Sequence, residues 1–269
     1  MPVPTTAELR EFGRHRYLSL IFRPSAWIVI VLTSLLVWKL SGPEYDWSVI
    51  YRNAGYFLLA LRATWELAFI AFGFSFALGL MLALARASYV SYIRIPAAAC
   101  IESFRAVPQI MAIFWFYFLV PIATGMSTSP RLAALLALTF CNAAYFAEIV
   151  RAGIISIPRG QWHAAQSSGI SFVQTAIHII LPQALRNMIG PLMNQFVSLF
   201  KSTSLVYIVG VVEFFRAATI VDSREFKSFE IFSFVAVVYL ACCWLLSLVG
   251  SLIHSRVRDP SRRAEVQLN

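Results

Sequence analysis

Residues 60–85 read ALRATWELAFIAFGFSFALGLMLALA, and from Leu67 to Ala85 the run holds no charged side chain. A helix crossing the hydrocarbon core of a bilayer needs about 20 apolar residues, because lipid offers its backbone no hydrogen-bond partner. This stretch meets that requirement. Five further runs do the same, at about 25–41, 107–123, 132–150, 190–212 and 230–253. The chain is 59% hydrophobic and 13% charged, whereas a soluble domain carries about 25% charged residues. The expected fold is all-α: a polytopic membrane helical bundle of about six transmembrane helices.

The net charge of +9 has its own pattern. Arg10, Arg14, Arg16 and Arg23 precede the first run, and Arg86, Arg94 and Arg105 follow the second. Arg151, Arg159 and Arg186 follow the fourth, while Arg256, Arg258, Arg262 and Arg263 lie in the tail. The alternate segments hold fewer basic residues, diluted by Asp46, Glu213, Asp222 and Glu225. The positive-inside rule then puts both termini in the cytoplasm. No compact basic face with interleaved aromatics is present, so nucleic acid is not an expected partner; the lipid bilayer is.

The first run, preceded by arginines, also has the outline of a signal peptide. Trp38-Lys39-Leu40 lacks a small-x-small cleavage pattern, however, and Lys39 can snorkel to the interface. It is read as a retained helix. The domain reading is a basic cytoplasmic tail (1–24), an N-terminal helix with an outer loop (25–54), the main transmembrane domain (55–255) and a cytoplasmic tail (256–269). Cys100, Cys141, Cys242 and Cys243 have no metal-ligand spacing and read as small apolar residues. His15, His163, His178 and His254 form no ligand set, and no catalytic cluster is visible. The chain is expected to hold no metal and not to be an enzyme.

The longest polar segment, 151–189, carries the functional signal. It reads as a short helix from Gln161 to Ser168, a stop at Gly169, a second helix, and a break at Pro182. Ala164 and Ala165 would let another backbone approach closely. A hairpin lying on the membrane surface is the plainer reading; the modest apolar content favours a protein partner.

The pattern Ala164-Ala165-x-x-x-Gly169 followed by Ile179-x-Leu181-Pro182 resembles the signature loop of bacterial ABC-importer permeases. Phe104-Arg105-Ala106-Val107-Pro108, then Ala144-Tyr145-Phe146-Ala147-Glu148-Ile149-Val150-Arg151-Ala152-Gly153, then Lys201-Ser202-Thr203-Ser204-Leu205-Val206-Tyr207 resemble its polar amino-acid branch. The likeness covers roughly residues 55–255 and is nearest in wording to glutamate/aspartate permease subunits. Glutamine and basic amino acids are the alternative substrates, and a secondary transporter is the competing class. The resemblance implies a five-helix core, with the N-terminal helix as an addition, in the bacterial inner membrane. It also implies that the loop's short helix docks in a groove of a cytoplasmic ABC ATPase. Gly160, Gln161, His163, Ala164, Ala165, Gly169, Leu181 and Pro182 are the residues that carry this over. His163 stands where the family usually has Glu. A second permease subunit, identical or related, and an extracytoplasmic substrate-binding protein complete the implied set. No Walker-type phosphate loop occurs, so ATP and Mg are expected on the partner ATPase and no cofactor on this chain.

Charged side chains inside a span cost about 2.5–3.5 kcal/mol each, so each calls for a reason. Lys201 is expected near the middle of the fifth span, with Asn194 and Ser198 on the same helix face and Ser202 beside it. That face suits the carboxylates of an amino acid; a lysine paired to a neighbouring helix is the structural alternative. Arg62 and Glu66 are an i, i+4 pair, read either as a neutralising pair or, for Arg62, as part of the path. Glu148 reads as a pin with Arg151 or as a path residue, and Asn142 as a possible lining residue. The run Trp115-Phe116-Tyr117-Phe118 reads as packing and interface belt.

Overall fold

The structure, a computed structural model, describes residues 45–258 apart from Met126, together with Leu32, Leu36 and Lys39, which are helical. The run at about 25–41 therefore lies largely outside the described residues. The chain divides into two compact units, Met1–Ser48 and Val49–Asn269; the helices below belong to the second. After a one-turn helix, Ser48–Arg52, the long helix α1 spans Ala54–Arg86. Its 33 residues reach about 50 Å, more than the ~30 Å hydrocarbon core requires.

Proline sets the next corner. Pro108 disfavours helical backbone at Val107, which is extended at ψ 132°. Helix α2 (Ser91–Ala106) and the rod that follows therefore meet at 108°. That rod comprises α3 (Gln109–Phe114), a π-helical turn (Trp115–Leu119) and α4 (Val120–Thr124). Gly125, left-handed at φ 71°, closes it. Helix α5 (Pro130–Ile155) starts on a Ser129 cap, whose hydroxyl accepts from the Leu132 N–H, with proline at its first position. The short helix α6 (Arg159–Ser167) leads through α7 (Phe172–Gln174) and a second π-helical turn (Thr175–Ile180) into α8 (Leu181–Ser202). A 3₁₀ turn (Thr203–Val209), α9 (Phe214–Glu225) and α10 (Ser228–Arg258) complete the unit.

The bundle is organised around α5. Two-thirds of its most apolar window is buried, against 17% for α10. Helix α1 lies along it, and the buried stripe of α1 consists mostly of small residues: Ala60, Thr64, Ala68, Ala71, Ser75, Gly79 and Ala83. Lipid supplies no hydrophobic drive between helices, so close backbone approach must provide the contact, and small residues permit it. At Gly79 the approach is tightest: a Cβ there would stand 2.7 Å from the Phe146 Cβ and 2.8 Å from the Ala143 carbonyl oxygen. The core runs in three layers from one end of α1 to the other. Phe57 and Ala60 join Phe214, Val221 and Ile231 at one end; Leu67 and Ala71 join Leu138, Leu199 and Phe200 in the middle. Ala83 joins Ile101, Val150, Ile180 and Met188 at the other.

Several expectations change. Pro182 does not break the chain into two helices; it sits in the first turn of α8 within a continuous rod. The reason is the π turn before it: the Leu181 N–H reaches back five residues to the Ala176 carbonyl, widening the turn that the ring must enter. The same device precedes Pro121, where the Val120 N–H reaches the Trp115 carbonyl. The connection at 151–189 is accordingly shorter than expected, because α5 runs to Ile155 and the following rod begins at Phe172. The segment carrying Arg94 and Arg105 is the helix α2. Residues 214–225, expected in an outer loop, are the helix α9. Three helices are long and apolar enough to cross a membrane, or up to five if each bent pair is one span, among the described residues.

Glu213 holds that last corner. Fully buried, its carboxylate accepts the Phe215 N–H at 2.9 Å and the Arg216 N–H at 2.7 Å, and the Tyr239 hydroxyl lies at 3.3 Å. The Thr64 hydroxyl accepts the Phe214 N–H at 2.9 Å. The opening amides of α9 are thus paired inside the protein rather than by water. Glu213→Ala is expected to lower stability by about 1–3 kcal/mol, read as a lower unfolding temperature of the detergent-solubilised protein; an unchanged temperature would contradict the cap. Gly79→Leu should cost about 1–3 kcal/mol by overpacking, whereas Gly73→Ala, with open space around its Cβ position, should melt like the parent.

Candidate coupling surface and translocation face

Helix α6 is short and held from beneath. Pro158, at φ −56° and ψ 136°, launches it, and the left-handed Gly169 ends it at φ 74°. The Ile170 N–H reaches the Ala165 carbonyl at 3.1 Å and the Gly169 N–H reaches Gln166 at 3.0 Å, the two bonds of a Schellman cap. Only glycine adopts that φ without strain. The chain then restarts on Ser171, whose side chain and that of Gln174 form a capping box. The Trp162 ring stacks on Phe172 with centroids 5.2 Å apart, tying α6 to the next rod.

The two alanines do different things. Ala165 is buried against the bundle, while Ala164 is exposed beside Gln161 and His163. Gly160 is exposed with open space around it, so nothing within the chain requires a glycine there. Leu181 and Pro182 are exposed at the start of α8. The Asn187 side chain donates to the Ser156 hydroxyl at 2.9 Å, joining α8 to the end of α5.

Close to this end lies an ion-pair network. The Arg151 guanidinium bonds both carboxylate oxygens of Glu148, and Arg86 reaches Glu148 at 3.3 Å and Glu102 at 3.1 Å. Arg105 approaches Glu102 at 3.7 Å and lies over the Tyr145 ring at 5.7 Å. The network joins the ends of α1, α2 and α5. Glu148 is thus a pin, as one of its two readings had it. Arg86 and Glu102 as its wider partners were not foreseen, since they lie far from Glu148 in sequence.

On α8, Asn194, Ser198 and Lys201 are exposed on one face, with Ser202 half-buried. Lys201 occupies the last turn of α8, where the rod tightens to 3₁₀, directly after Leu199 and Phe200 of the middle core layer. A cation is favoured there by the helix dipole. Its ammonium has no ion pair or hydrogen bond among the described residues, so none of the described helices neutralises it. Asn142 is corrected. It is buried, donating to the Leu138 carbonyl at 2.7 Å and accepting from Gln195 at 2.9 Å, because α5 is the central helix. It braces α5 against α8 and lines no open surface. Gln195 was missed; its only signal was being polar within an apolar run. Arg62 and Glu66 pair at 2.9 Å, with Arg131 near Glu66 at 3.7 Å, and Arg62 is largely exposed.

Residues 75–259 match the family described as the binding-protein-dependent transport system inner membrane component. The chain is 36% identical over 222 residues to the glutamate/aspartate import permease protein GltK of Escherichia coli, covering 80% of this chain and 97% of that protein. It is 34% identical over 210 residues to the probable glutamine ABC transporter permease protein GlnM of Bacillus subtilis, covering 78% and 97%. The L-cystine transport system permease protein TcyB of Bacillus subtilis is 36% identical over 218 residues, covering 80% and 93%. A solved amino acid ABC transporter with histidines matches at a TM-score of 0.76 and 29% identity, covering 78% of this chain and 98% of that one. With a family match over most of its length and relatives aligned almost end to end, this chain belongs to the binding-protein-dependent transport system inner membrane components, the integral permeases of ABC importers.

Proposed function

We propose that this permease passes polar amino acids across the bacterial inner membrane and that glutamate and aspartate are its substrates. The observation that carries the reading is Lys201, a cation unpaired among the described residues on an exposed polar stripe of a rod that crosses the bundle, in a chain whose relatives import amino acids. A cation on a membrane-buried surface is costly unless a water-filled path or a partner covers it. The stripe formed by Asn194, Ser198 and Lys201 would face a second permease subunit across such a path, with Ser202 beside it and the exposed Arg62 of α1 as a further path residue. A substrate carboxylate would pair with the Lys201 ammonium, and amide and hydroxyl groups would hold its remaining oxygens. Glutamine is the second reading, favoured by the comparable identity to the glutamine permease.

Helix α6 would be the cytoplasmic coupling helix. Its outer face, Gln161, His163 and Ala164, would enter a groove on an ABC ATPase that carries ATP and Mg, while Ala165 and Trp162 hold the helix to the bundle. Gly160 leaves room for the partner's backbone, and Leu181 with Pro182 would border the contact. An extracytoplasmic binding protein would deliver substrate to the opposite end. Closing of the ATPases on ATP would move the two permeases between states of different substrate access.

Uptake by the reconstituted complex, with glutamate, aspartate, glutamine and arginine compared, tests the substrate assignment; equal rates for arginine would overturn it. Lys201→Ala should raise KM for glutamate about 10- to 100-fold, the loss of a charge-assisted bond, while the complex still assembles. Unchanged KM would remove Lys201 from the path. Ala164→Trp should abolish ATPase co-purification while leaving the permease's unfolding temperature unchanged, whereas Ala165→Trp should lower that temperature. An Ala164→Trp permease that keeps its ATPase would sink the coupling role.

A further inference from the structure

A cleft of about 540 Å³ opens where α2 crosses the ends of α1 and α5. Its charged lining is Arg86, Arg94, Arg151 and Glu102, and Ile95 with two alanines supplies an apolar wall. The lining carries three guanidiniums to one carboxylate, and with Arg105 and Glu148 of the adjoining network counted the excess is still positive, four to two. Arg86 and Arg151 are held in place by those carboxylates. Arg94 is exposed and has no ion pair among the described residues. The volume is within the ~300–1,000 Å³ common for small-ligand sites.

The surroundings identify the ligand's chemistry. Tyr89 and Tyr92 are 93% and 92% exposed, and Val90, Ile93 and Ile95 are exposed beside them. Met81 and Leu84, exposed on the last two turns of α1, lie just before Arg86. A charged cleft at the end of a membrane-crossing helix, bordered by exposed tyrosines and aliphatic side chains, matches a phospholipid at the headgroup level: phosphate inside, acyl chains along apolar surface. Water-facing anion sites have no use for that apolar border. We infer that this cleft binds the phosphate of an anionic phospholipid, with Arg94 as the guanidinium free to close on it. The inference rests on the chain spanning a membrane, and it is independent of which amino acid is carried and of the role of Lys201.

Native mass spectrometry of the assembled importer tests it, in detergent with added phosphatidylglycerol or phosphatidylcholine. The parent should retain phosphatidylglycerol in preference to phosphatidylcholine. Arg94→Gln should lower that retention about fivefold, the contribution of one basic residue near a lipid surface, and Arg94→Lys should restore most of it. The Arg94 side chain is exposed and has no ion pair or hydrogen bond among the described residues, so both variants should fold and assemble as the parent does. Equal retention of the two lipids, or retention unchanged in Arg94→Gln, would overturn the proposal. Complete displacement of the lipid by millimolar inorganic phosphate would overturn it in favour of a free-phosphate site. Retention of the lipid by the permease alone but not by the assembled importer would overturn it in favour of a cleft covered by protein.

Discussion

The close approach of α1 to α5 is the constraint on which the rest of the bundle depends. In lipid the apolar side chains gain nothing by leaving their surroundings, so helices stay together only where backbones come near enough for dense van der Waals contact. Gly79 against Ala143 and Phe146 is that contact, with Ala68, Ala71 and Ala83 extending the seam. Once α5 is fixed at the centre, its remaining faces receive α3, α8 and the end of α2, and the three core layers follow. Gly153 repeats the principle further along α5, where Met188 of α8 occupies the space a side chain would need.

Corners, rather than spans, distinguish this fold from a simple stack of crossing helices. Each corner has an identifiable chemical cause. Pro108 turns α2 across the bundle end, and Gly125 and Gly169 close helices in the left-handed region. Glu213 pairs amides that would otherwise be orphaned away from water. Pro121 and Pro182 turn no corner, and a π-helical turn ahead of each moves the carbonyl that the ring would strike. The consequence for function is geometric. A continuous rod from Phe172 to Val209 connects the α6 surface directly to the face carrying Lys201. That rod is pinned to α5 by Asn187 and Gln195.

The sequence by itself determined the class of the molecule. Runs of uncharged residues such as 67–85 can be satisfied in lipid only as helices, and that argument needs no partner or contact. Gly169 was also legible, since a helix stop at glycine is a local backbone property, and so was the Arg62–Glu66 pair, set by helical spacing alone. Asn142 and Pro182 were placed less well. Whether a polar side chain in a span looks inward or outward depends on which helix is central, and whether a proline breaks a helix depends on the register of the turn before it. The pairing of Arg86 with Glu148, of Thr64 with the Phe214 amide, and the burial of Ala165 beside an exposed Ala164 are decided by packing between segments distant in the chain. Local pattern reports what a helix can bury; only the tertiary structure decides against what, because in lipid that choice is made by shape and not by hydrophobicity.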